Sequence, residues 1–370
     1  MSTQRRPQER LCLIVLALCA FAIVSGVSAQ DADSIPLITF TPYEENPVVD
    51  RESGSEWGCE SGTIFAPQVI EVEGVLYMFY SGSCERTGKP AAIGYATSTD
   101  GVQWEKAAEN PILAPDGDGY DARCVSIGVP MYEDGQWILY YAANSTPCNG
   151  PGKSIGRATA PSPDGPWVRE ADAVLTAGDS SAWDNGFLMP HAVFHIGDQY
   201  IMYYSGGAEF LLPLPRLVGM ATSTDGIHWA KYDDPATTEA PYAESDPLME
   251  LNADGTTSEF SAWSLDIGKT EQGWEMFFSS PCPESVSQNC VTFMGYAVSD
   301  DGLNWRAFRS LDTAVLTLQQ VAADWAASCI CHPTYVAEGS DYRLYFVGCT
   351  EEMNDCRIGM ATGSITWPGP

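Results

Sequence analysis

Four acidic residues stand in or just before segments that recur along the chain, most of which contain a Pro, namely Glu60, Asp121, Asp184 and Asp266. When two carboxyl groups lie close together, the pKa of one rises, so that one side chain can donate a proton while the other accepts one. More than 60 residues separate each of the four from the next. They can therefore cooperate only if the fold brings successive segments of the chain to one place.

Aromatic, amide and imidazole side chains share these segments and are the candidates for ligand binding: Trp57, Gln68, Trp183, His191, Trp263, Trp325 and His332. An indole ring offers a flat apolar face, and a His ring offers a donor and an acceptor. Each has a structural alternative, because Trp side chains also pack between sheets and a buried His can be satisfied within a core. The pair Trp183-Asp184 is echoed at Tyr120-Asp121, which is typical of a repeated structural contact.

One twelve-residue stretch organises the chain around these candidates. IGYATSTDGVQW (Ile93 to Trp104) recurs as VGMATSTDGIHW (Val218 to Trp229) and MGYAVSDDGLNW (Met294 to Trp305), with looser copies at 155–167 and 358–367. An Asp-Gly pair between alternating segments predicts a hairpin turn, because Gly adopts positive φ without steric cost. Five copies spaced by 62 to 76 residues indicate five units of one repeated structure.

Each unit contains the same order of predicted strands: an inner strand, which contains a Pro in four of the five units, an aromatic strand, the repeated stretch, and a strand that begins at its Trp. The predicted inner strands are 64–70, 127–132, 188–194, 263–268 and 330–336. Period-two alternation rich in Tyr, Phe, Val and Ile favours strands, and no long helical pattern occurs in the sequence. The sequence therefore predicts an all-β fold, a five-bladed β-propeller with four antiparallel strands per blade.

The two ends of the repeat array predict how the ring closes. The last copy ends at Trp367 without the strand that follows the Trp elsewhere, while Leu37 to Val49 matches the rhythm of Val102 to Leu113. We therefore expect Leu37 to Tyr43 to supply the outermost strand of the last blade, which would otherwise leave an exposed edge. Inner strands of a propeller begin near the central axis, so the candidate residues would face a shared funnel.

Residues 1–29 have the features of a secretory signal peptide, and residues 30–370 form the predicted propeller domain. Basic residues between Arg5 and Arg10 precede an apolar segment from Leu11 to Val24, and Val27-Ser28-Ala29 is a small-residue cleavage site. A retained membrane anchor is the alternative. The sequence thus predicts a secreted protein, extracellular or periplasmic, with no membrane association after cleavage.

The charge and the cysteines limit the partners. A net charge of −31 over 370 residues disfavours nucleic acid and anionic membranes as ligands, and we expect a monomer. Ten cysteines lie outside the signal segment with no Cys-x-x-Cys pair, which favours disulfides and predicts no metal site and no cofactor. Loop positions predict four pairs and leave Cys329 and Cys331 unassigned: Cys59–Cys84, Cys124–Cys148, Cys282–Cys290 and Cys349–Cys356.

The repeated pattern W-D…P-x-V…Y-x-M-Y-Y-S-G…I-G-x-A-T-S-x-D-G-x-x-W resembles the five-bladed propeller glycosidases. These are the arabinanase, β-xylosidase, levansucrase and invertase group, including glycoside hydrolase family 43, and the resemblance covers nearly all of residues 30–370. It implies a carbohydrate ligand and hydrolysis of glycosidic bonds. That reaction uses two carboxyl groups about 5.5 Å apart for retention, or roughly 6.5–9.5 Å apart for inversion.

The catalytic positions depart from the family pattern. The resemblance implies an Asp before the Pro of the first inner strand, an Asp after the corresponding Pro of the second, and a Glu before that of the third. This chain has Ala66, Met131 and Leu188 there. The sequence therefore predicts a glycosidase whose acids are Glu60, Asp121, Asp184 and Asp266. A carbohydrate-binding propeller without catalysis is the alternative, and a protein-interaction propeller is a third.

Overall fold

A computed structural model describes most of the region that the repeats occupy. The described residues are 34–51, 63–84, 89–146, 152–207, 216–252, 256–281, 291–310, 312–350 and 355–368. The predicted signal peptide lies outside these ranges, as do the following candidates: Trp57, Cys59, Glu60, Cys148, Cys282 and Cys290. Residues Ile35–Gly369 form one compact unit.

The strands of the described ranges group into five sheets, numbered here in chain order. The chain begins with β1 (Leu37–Pro42), which belongs to the fifth sheet. The first sheet contains β2 (Thr63–Val72), β3 (Val75–Cys84), β4 (Lys89–Ser98) and β5 (Glu105–Lys106). The second contains β6 (Cys124–Glu133), β7 (Gln136–Asn144), β8 (Ser154–Ala160), β9 (Val168–Arg169) and β10 (Leu175–Thr176).

The third sheet contains β11 (Phe187–Ile196), β12 (Gln199–Gly207), β13 (Leu217–Ser223) and β14 (Ala230–Lys231). The fourth contains β15 (Met249–Leu251), β16 (Thr257–Glu259), β17 (Ser264–Thr270), β18 (Gly273–Pro281), β19 (Val291–Ser299), β20 (Asn304–Phe308) and β21 (Leu316–Thr317). The fifth contains β22 (Cys329–Glu338), β23 (Asp341–Cys349), β24 (Cys356–Thr366) and β1. In the described ranges, helix is confined to α1 (Leu318–Val321) and two 3-10 turns, Gly119–Asp121 and Asp324–Ala326.

The predicted inner strands are β2, β6, β11, β17 and β22, and each pairs with the aromatic strand that follows it. The five inner strands contact one another in chain order, and β22 also contacts β2. β1 pairs antiparallel with β24, from Leu37 opposite Thr366 to Pro42 opposite Ala361, as the truncated last repeat predicts. The fold is therefore all-β and propeller-like.

The hydrophobic core lies between neighbouring sheets. One cluster joins Val129 and Ile138 of the second sheet to Leu188 and Met202 of the third, and another joins the fourth sheet to the fifth. These apolar side chains alternate along strands whose two faces are both covered, so each sheet is held by the two beside it. Across the part of the chain that is described, no helix has the length and apolarity needed to cross a bilayer.

The Asp-Gly pairs form turns that also link the sheets. Gly226 has a φ of 71°, and its carbonyl oxygen accepts a hydrogen bond of 2.8 Å from the Tyr140 hydroxyl of the second sheet. A Cβ at this position would lie 2.8 Å from that hydroxyl, so the turn needs Gly for its conformation and for its space. The Asp225 carboxylate accepts from the two backbone amides that follow the turn, which makes it a turn residue, as the pattern predicts.

The disulfide prediction is confirmed for Cys349–Cys356, whose sulfur atoms are 2.09 Å apart. Cys124 is also disulfide-bonded, while its predicted partner lies outside the described residues. The pairings of Cys59 and Cys282 fall outside them too. Cys329 and Cys331 are buried in β22 without a disulfide between them.

Candidate functional site

The first residues of the inner strands lie close to one another, and several of these strands have an irregular backbone there. The pairing register shifts within β2, β6 and β22, around Ala66, Ile127 and His332, which have φ values of 51°, 53° and 49°. Positive φ is costly for residues other than Gly, and it persists only where the surroundings enforce it. Here the Ser81 hydroxyl accepts the Ile127 amide at 2.7 Å, and the Ser264 hydroxyl accepts the His332 amide at 2.8 Å.

A group of five side chains from four sheets meets at this end, and we call it the axial cluster: Phe65, Phe187, Arg216, Trp263 and His332. The Arg216 guanidinium lies 3.7 Å from the centre of the Trp263 indole and 5.4 Å from that of the Phe187 ring. Its Nη1 donates to the Trp263 carbonyl oxygen at 3.3 Å. The Phe65 and His332 rings are 6.2 Å apart.

The backbone fixes these side chains at the junction of the third, fourth and fifth sheets. Arg216 directly precedes β13, and its carbonyl oxygen accepts the Ala262 amide at 3.0 Å. Trp263 directly precedes β17, and His332 lies at the irregular step of β22. Arg216, Trp263 and His332 each keep part of their surface exposed.

The axial cluster carries one positive charge. Burial lowers the pKa of Arg216 to about 10, which leaves the guanidinium charged at neutral pH. Burial, reinforced by the Arg216 charge, lowers the pKa of His332 to about 3, so this ring is neutral. Within the described ranges, the ion pairs of the chain place no carboxylate on Arg216.

His191 is close by but buried, with only 2 % of its surface exposed. Its Nε2 shares a hydrogen bond of 2.6 Å with the Ser205 hydroxyl. Burial, together with the nearby His332 ring and the Arg216 cation, lowers its pKa to about 3. These contacts favour the structural alternative to ligand binding for His191, in which a buried His is satisfied within the core.

Asp184 is fully buried in an ion pair inside the third sheet. Lys231 Nζ donates to its Oδ2 at 2.6 Å, the Tyr204 hydroxyl donates at 3.4 Å, and the Gly178 amide donates to Oδ1 at 3.1 Å. Its exposed fraction is 0 %, so no carboxylate oxygen is offered to a ligand.

Asp121 occupies the equivalent place in the second sheet. Its Oδ2 accepts from the Tyr141 hydroxyl at 2.8 Å and lies 3.5 Å from Arg169 Nε. The Tyr at this place pairs with the Gly of the repeated stretch in both sheets, as Tyr141 with Gly156 and as Tyr204 with Gly219. The structure therefore places Asp121 and Asp184 in a repeated internal contact, away from each other.

The fifth sheet replaces all three members of this contact. Ala326, Phe346 and Pro42 stand at the places of Asp184, Tyr204 and Lys231, which the strand registers identify. Trp325 stacks on Phe346 as Trp183 stacks on Tyr204, with ring centres 6.0 and 5.9 Å apart.

Trp183 and Trp325 are thus packing residues of their own sheets. Trp183 is 4 % exposed, and its Nε1 donates to the Ser245 hydroxyl at 3.1 Å. Trp325 covers Gly348 and Gly359, where a Cβ would come within 2.3 and 2.5 Å of the indole. Of the Trp residues predicted to bind a ligand, Trp263 is the described one that lies in the axial cluster.

Asp266 links two inner strands. The strand registers place Gln68, Asp266 and Thr334 at one level of their respective sheets, and all three are buried. The Asp266 Oδ2 accepts from the Thr334 hydroxyl at 2.9 Å and from the Tyr335 amide at 3.2 Å. The Thr334 hydroxyl in turn accepts the Val69 amide of the first sheet at 3.2 Å. Burial raises the pKa of Asp266 to about 7.

The structure therefore brings Trp263 and His332 together and adds Phe65, Phe187 and Arg216, which sequence reasoning missed. It does not pair Asp121, Asp184 and Asp266 with one another. Arg216 ends the segment EFLLPLPR (Glu209 to Arg216), whose sequence does not recur in the other repeats. The sequence signal that could have identified Arg216 is a cation at the end of an unrepeated segment in an otherwise acidic chain.

Neither a protein-family model nor a curated protein matches the chain. Solved structures do resemble it. A family 117 glycoside hydrolase of the marine bacterium Zobellia galactanivorans is 15 % identical, with a TM-score of 0.58 over 89 % of this chain and 91 % of that one. A glycosyl hydrolase from Bacteroides ovatus is 18 % identical, with a TM-score of 0.57 over 88 % and 93 %.

A third similar structure is described with the GH130 family of mannoside phosphorylases, which contains glycoside hydrolases that target β-1,2-mannosidic linkages in Candida mannan. It is 18 % identical to this chain, with a TM-score of 0.58 over 88 % of this chain and 93 % of that one. At these identities the likeness shows a shared fold, the fold of these carbohydrate-active proteins.

Proposed function

We propose that this protein binds carbohydrate at the axial cluster. The observation that carries the proposal is the Trp263 ring, partly exposed beside Arg216 where the inner strands begin. Aromatic faces suit the apolar face of a sugar ring, and a few polar groups around them supply orientation. The fold shared with glycoside hydrolases supports the same ligand class.

We further propose that the five sheets are the blades of one closed ring and that the protein is secreted. The chain-order contacts of the inner strands and the contact of β22 with β2 support the ring. The pairing of β1 with β24 supports closure by the N-terminal strand. The basic and apolar residues 5–24 support export.

Binding without hydrolysis is the function that the described geometry favours. Hydrolysis needs two carboxyl groups facing the substrate across a few ångströms. Asp121 and Asp184 are instead buried in contacts of separate sheets. The positions equivalent to the family 43 acids are Ala66, Met131 and Leu188, and none of these side chains can give up or accept a proton.

Replacing Trp263 by Ala is expected to weaken oligosaccharide binding at least tenfold. Central aromatic anchors commonly contribute about 2 kcal/mol, and about 1.4 kcal/mol corresponds to a factor of ten in Kd. Calorimetry with oligosaccharides from xylan, arabinan and fructan measures the change. Trp367→Ala is the matched control, because Trp367 is also partly exposed near an Arg, in contact with Phe308. Equal affinities of wild type and Trp263→Ala would contradict the proposed site.

Hydrolysis is the second candidate function, and the raised pKa of Asp266 is the observation that favours it. A carboxyl group with a pKa of about 7 can stay protonated near neutral pH and act as a general acid. This candidate predicts that the same oligosaccharides release reducing ends and that Asp266→Asn abolishes the release while leaving binding intact. If the oligosaccharides bind but no reducing ends are released, hydrolysis is excluded and carbohydrate binding is the remaining candidate.

The raised pKa of Asp266 has a consequence for stability, whichever candidate holds. The folded protein retains this proton up to about pH 7, while the unfolded chain loses it near pH 4. The stabilising contribution is therefore complete below pH 4 and is lost as pH rises to 7. Relative to Asp266→Asn, wild type is expected to lose on the order of 4 kcal/mol of unfolding free energy between these values.

Urea denaturation at several pH values tests this expectation. Asp198→Asn is the control, since Asp198 is an exposed turn residue whose substitution should leave the pH dependence of wild type unchanged. A constant difference between wild type and Asp266→Asn from pH 4 to 7 would refute it.

A further inference from the structure

The axial cluster holds an arginine in a fixed position, and within the described ranges no carboxylate forms an ion pair with Arg216, whereas several other cations there are paired. Lys231 pairs with Asp184, Arg309 with Glu250, and Arg157 with Glu170. The whole chain has 49 acidic residues against 18 basic ones, so carboxylates are abundant. Because none of the described carboxylates pairs with it, the Arg216 cation can bind an external anion.

The guanidinium plane is held in place before any ligand arrives. It lies over Trp263 at 3.7 Å and near Phe187 at 5.4 Å, and one nitrogen, Nη1, is anchored on the Trp263 carbonyl oxygen and the Met189 sulfur. An arginine presents five N–H donors in a rigid fork. Those that the anchor does not use can donate side by side to the two oxygens of a planar carboxylate.

The described titratable neighbours of Arg216 are neutral at neutral pH. The Cys331 thiol interacts with Arg216, but the Cys329 hydrogen bond and burial raise its pKa well above the usual value, so it carries no charge. The ring of His332 is neutral at neutral pH, and so is that of His191. Phe65, Phe187 and Trp263 provide low-dielectric surroundings in which a charge-assisted hydrogen bond is stronger than in water. A ligand that carries both a sugar ring and one carboxylate therefore matches the two features of the site, the indole surface and the cation.

We propose that the axial cluster selects saccharides that carry a carboxylate, the uronic acids, and that Arg216 binds the carboxylate while Trp263 contacts the sugar ring. This specificity rests on the proposed function and narrows it. Arg216 is then the residue that determines specificity, and neutral saccharides bind more weakly because they leave its charge unpaired. A sulfate or phosphate substituent offers a similar anion that the guanidinium fork can also bind, so the test includes sulfated ligands.

The test compares each uronate with its own methyl ester, which keeps the sugar and removes the charge. Calorimetry on the full chain would use oligogalacturonate and oligoglucuronate, their methyl esters, neutral oligosaccharides from xylan and arabinan, and sulfated oligosaccharides. We expect at least one uronate to bind wild type at least tenfold more tightly than its ester. Arg216→Gln should bring the ratio of the two Kd values close to one, and Arg216→Lys should leave an intermediate ratio.

The ratio of acid to ester is measured on one protein sample, so a partly unfolded variant does not distort it. Equal binding of acid and ester by wild type, or an unchanged ratio in Arg216→Gln, would overturn the inference. Tightest binding of a sulfated ligand would overturn the carboxylate specificity. If neutral oligosaccharides bind in a Trp263-dependent manner and uronates bind no better, the inference fails while the proposed function stands. If no saccharide binds, both fail.

Discussion

Replacing Lys231 by Met is expected to lower the free energy of unfolding by about 3–5 kcal/mol, because it leaves the Asp184 charge buried without its cation. The Asp184 side chain is fully buried, and Lys231 Nζ lies 2.6 Å from its Oδ2. The remaining hydrogen bonds from Tyr204 and Gly178 cannot supply a positive charge. Denaturation in urea with wild type and the variant measures the loss.

The fifth sheet supplies the control for this prediction. There, Ala326 and Phe346 fill the places of Asp184 and Tyr204 without any charge. The triple variant Asp184→Ala, Tyr204→Phe, Lys231→Met copies this arrangement, so it should cost less than Lys231→Met alone, because no buried charge remains. Glu338→Gln, which removes an exposed ion pair with Arg343, should cost less than about 1 kcal/mol. A triple variant whose cost equals the sum of its single substitutions would contradict the explanation.

The same contact shows why the roles of Asp121 and Asp184 could not be read from their positions. Both precede an inner strand, where a propeller collects ligands, and this favours catalysis. Their repetition in two units favours structure. Whether these Asp residues are catalytic or structural depends on Arg169 and Lys231. Both cations lie in outer strands, about 47 residues further along the chain than the Asp that each one pairs with. Only the register of four strands brings each cation over its Asp.

The strands themselves were predictable because their signals are local. An Asp-Gly pair determines a turn through the φ of its Gly, and alternating apolar residues determine which strand faces are covered. The pairing of Leu37 to Pro42 with β24 also follows from a simple requirement, since the last repeat lacks an outer strand.

Only two of the five side chains in the axial cluster could be predicted from the sequence, because the members of the cluster do not share a repeated pattern. Trp263 and His332 belong to the predicted inner segments and could be named. Arg216 ends a segment whose sequence does not recur in the other repeats, and its position over Trp263 depends on how the third and fourth sheets pack, which no local pattern encodes. The bulge at His332, likewise, depends on the Ser264 hydroxyl of a neighbouring sheet.

A second large effect is expected at Glu275, which joins the fourth sheet to the fifth. Its Oε1 accepts from the Tyr335 hydroxyl at 2.8 Å, and its Oε2 accepts from the hydroxyls of Tyr296 and Tyr342 at 3.0 Å each. Burial and the nearby carboxylate raise the pKa of all three Tyr side chains, so they remain protonated donors. Three O–H donors satisfy this buried carboxylate without a cation.

Glu275→Ala is expected to lower the free energy of unfolding by about 4 kcal/mol, because it leaves three hydroxyls without an acceptor and opens a cavity beside them. Glu275→Gln should cost less, since its remaining oxygen still accepts one or two of the bonds, and Tyr342→Phe should cost about 1 kcal/mol. Glu271→Ala, in the exposed turn before β18, is the control and should stay within about 0.5 kcal/mol of wild type. If Glu275→Ala proved as stable as Glu271→Ala under urea denaturation, the carboxylate would not be what holds these two sheets together.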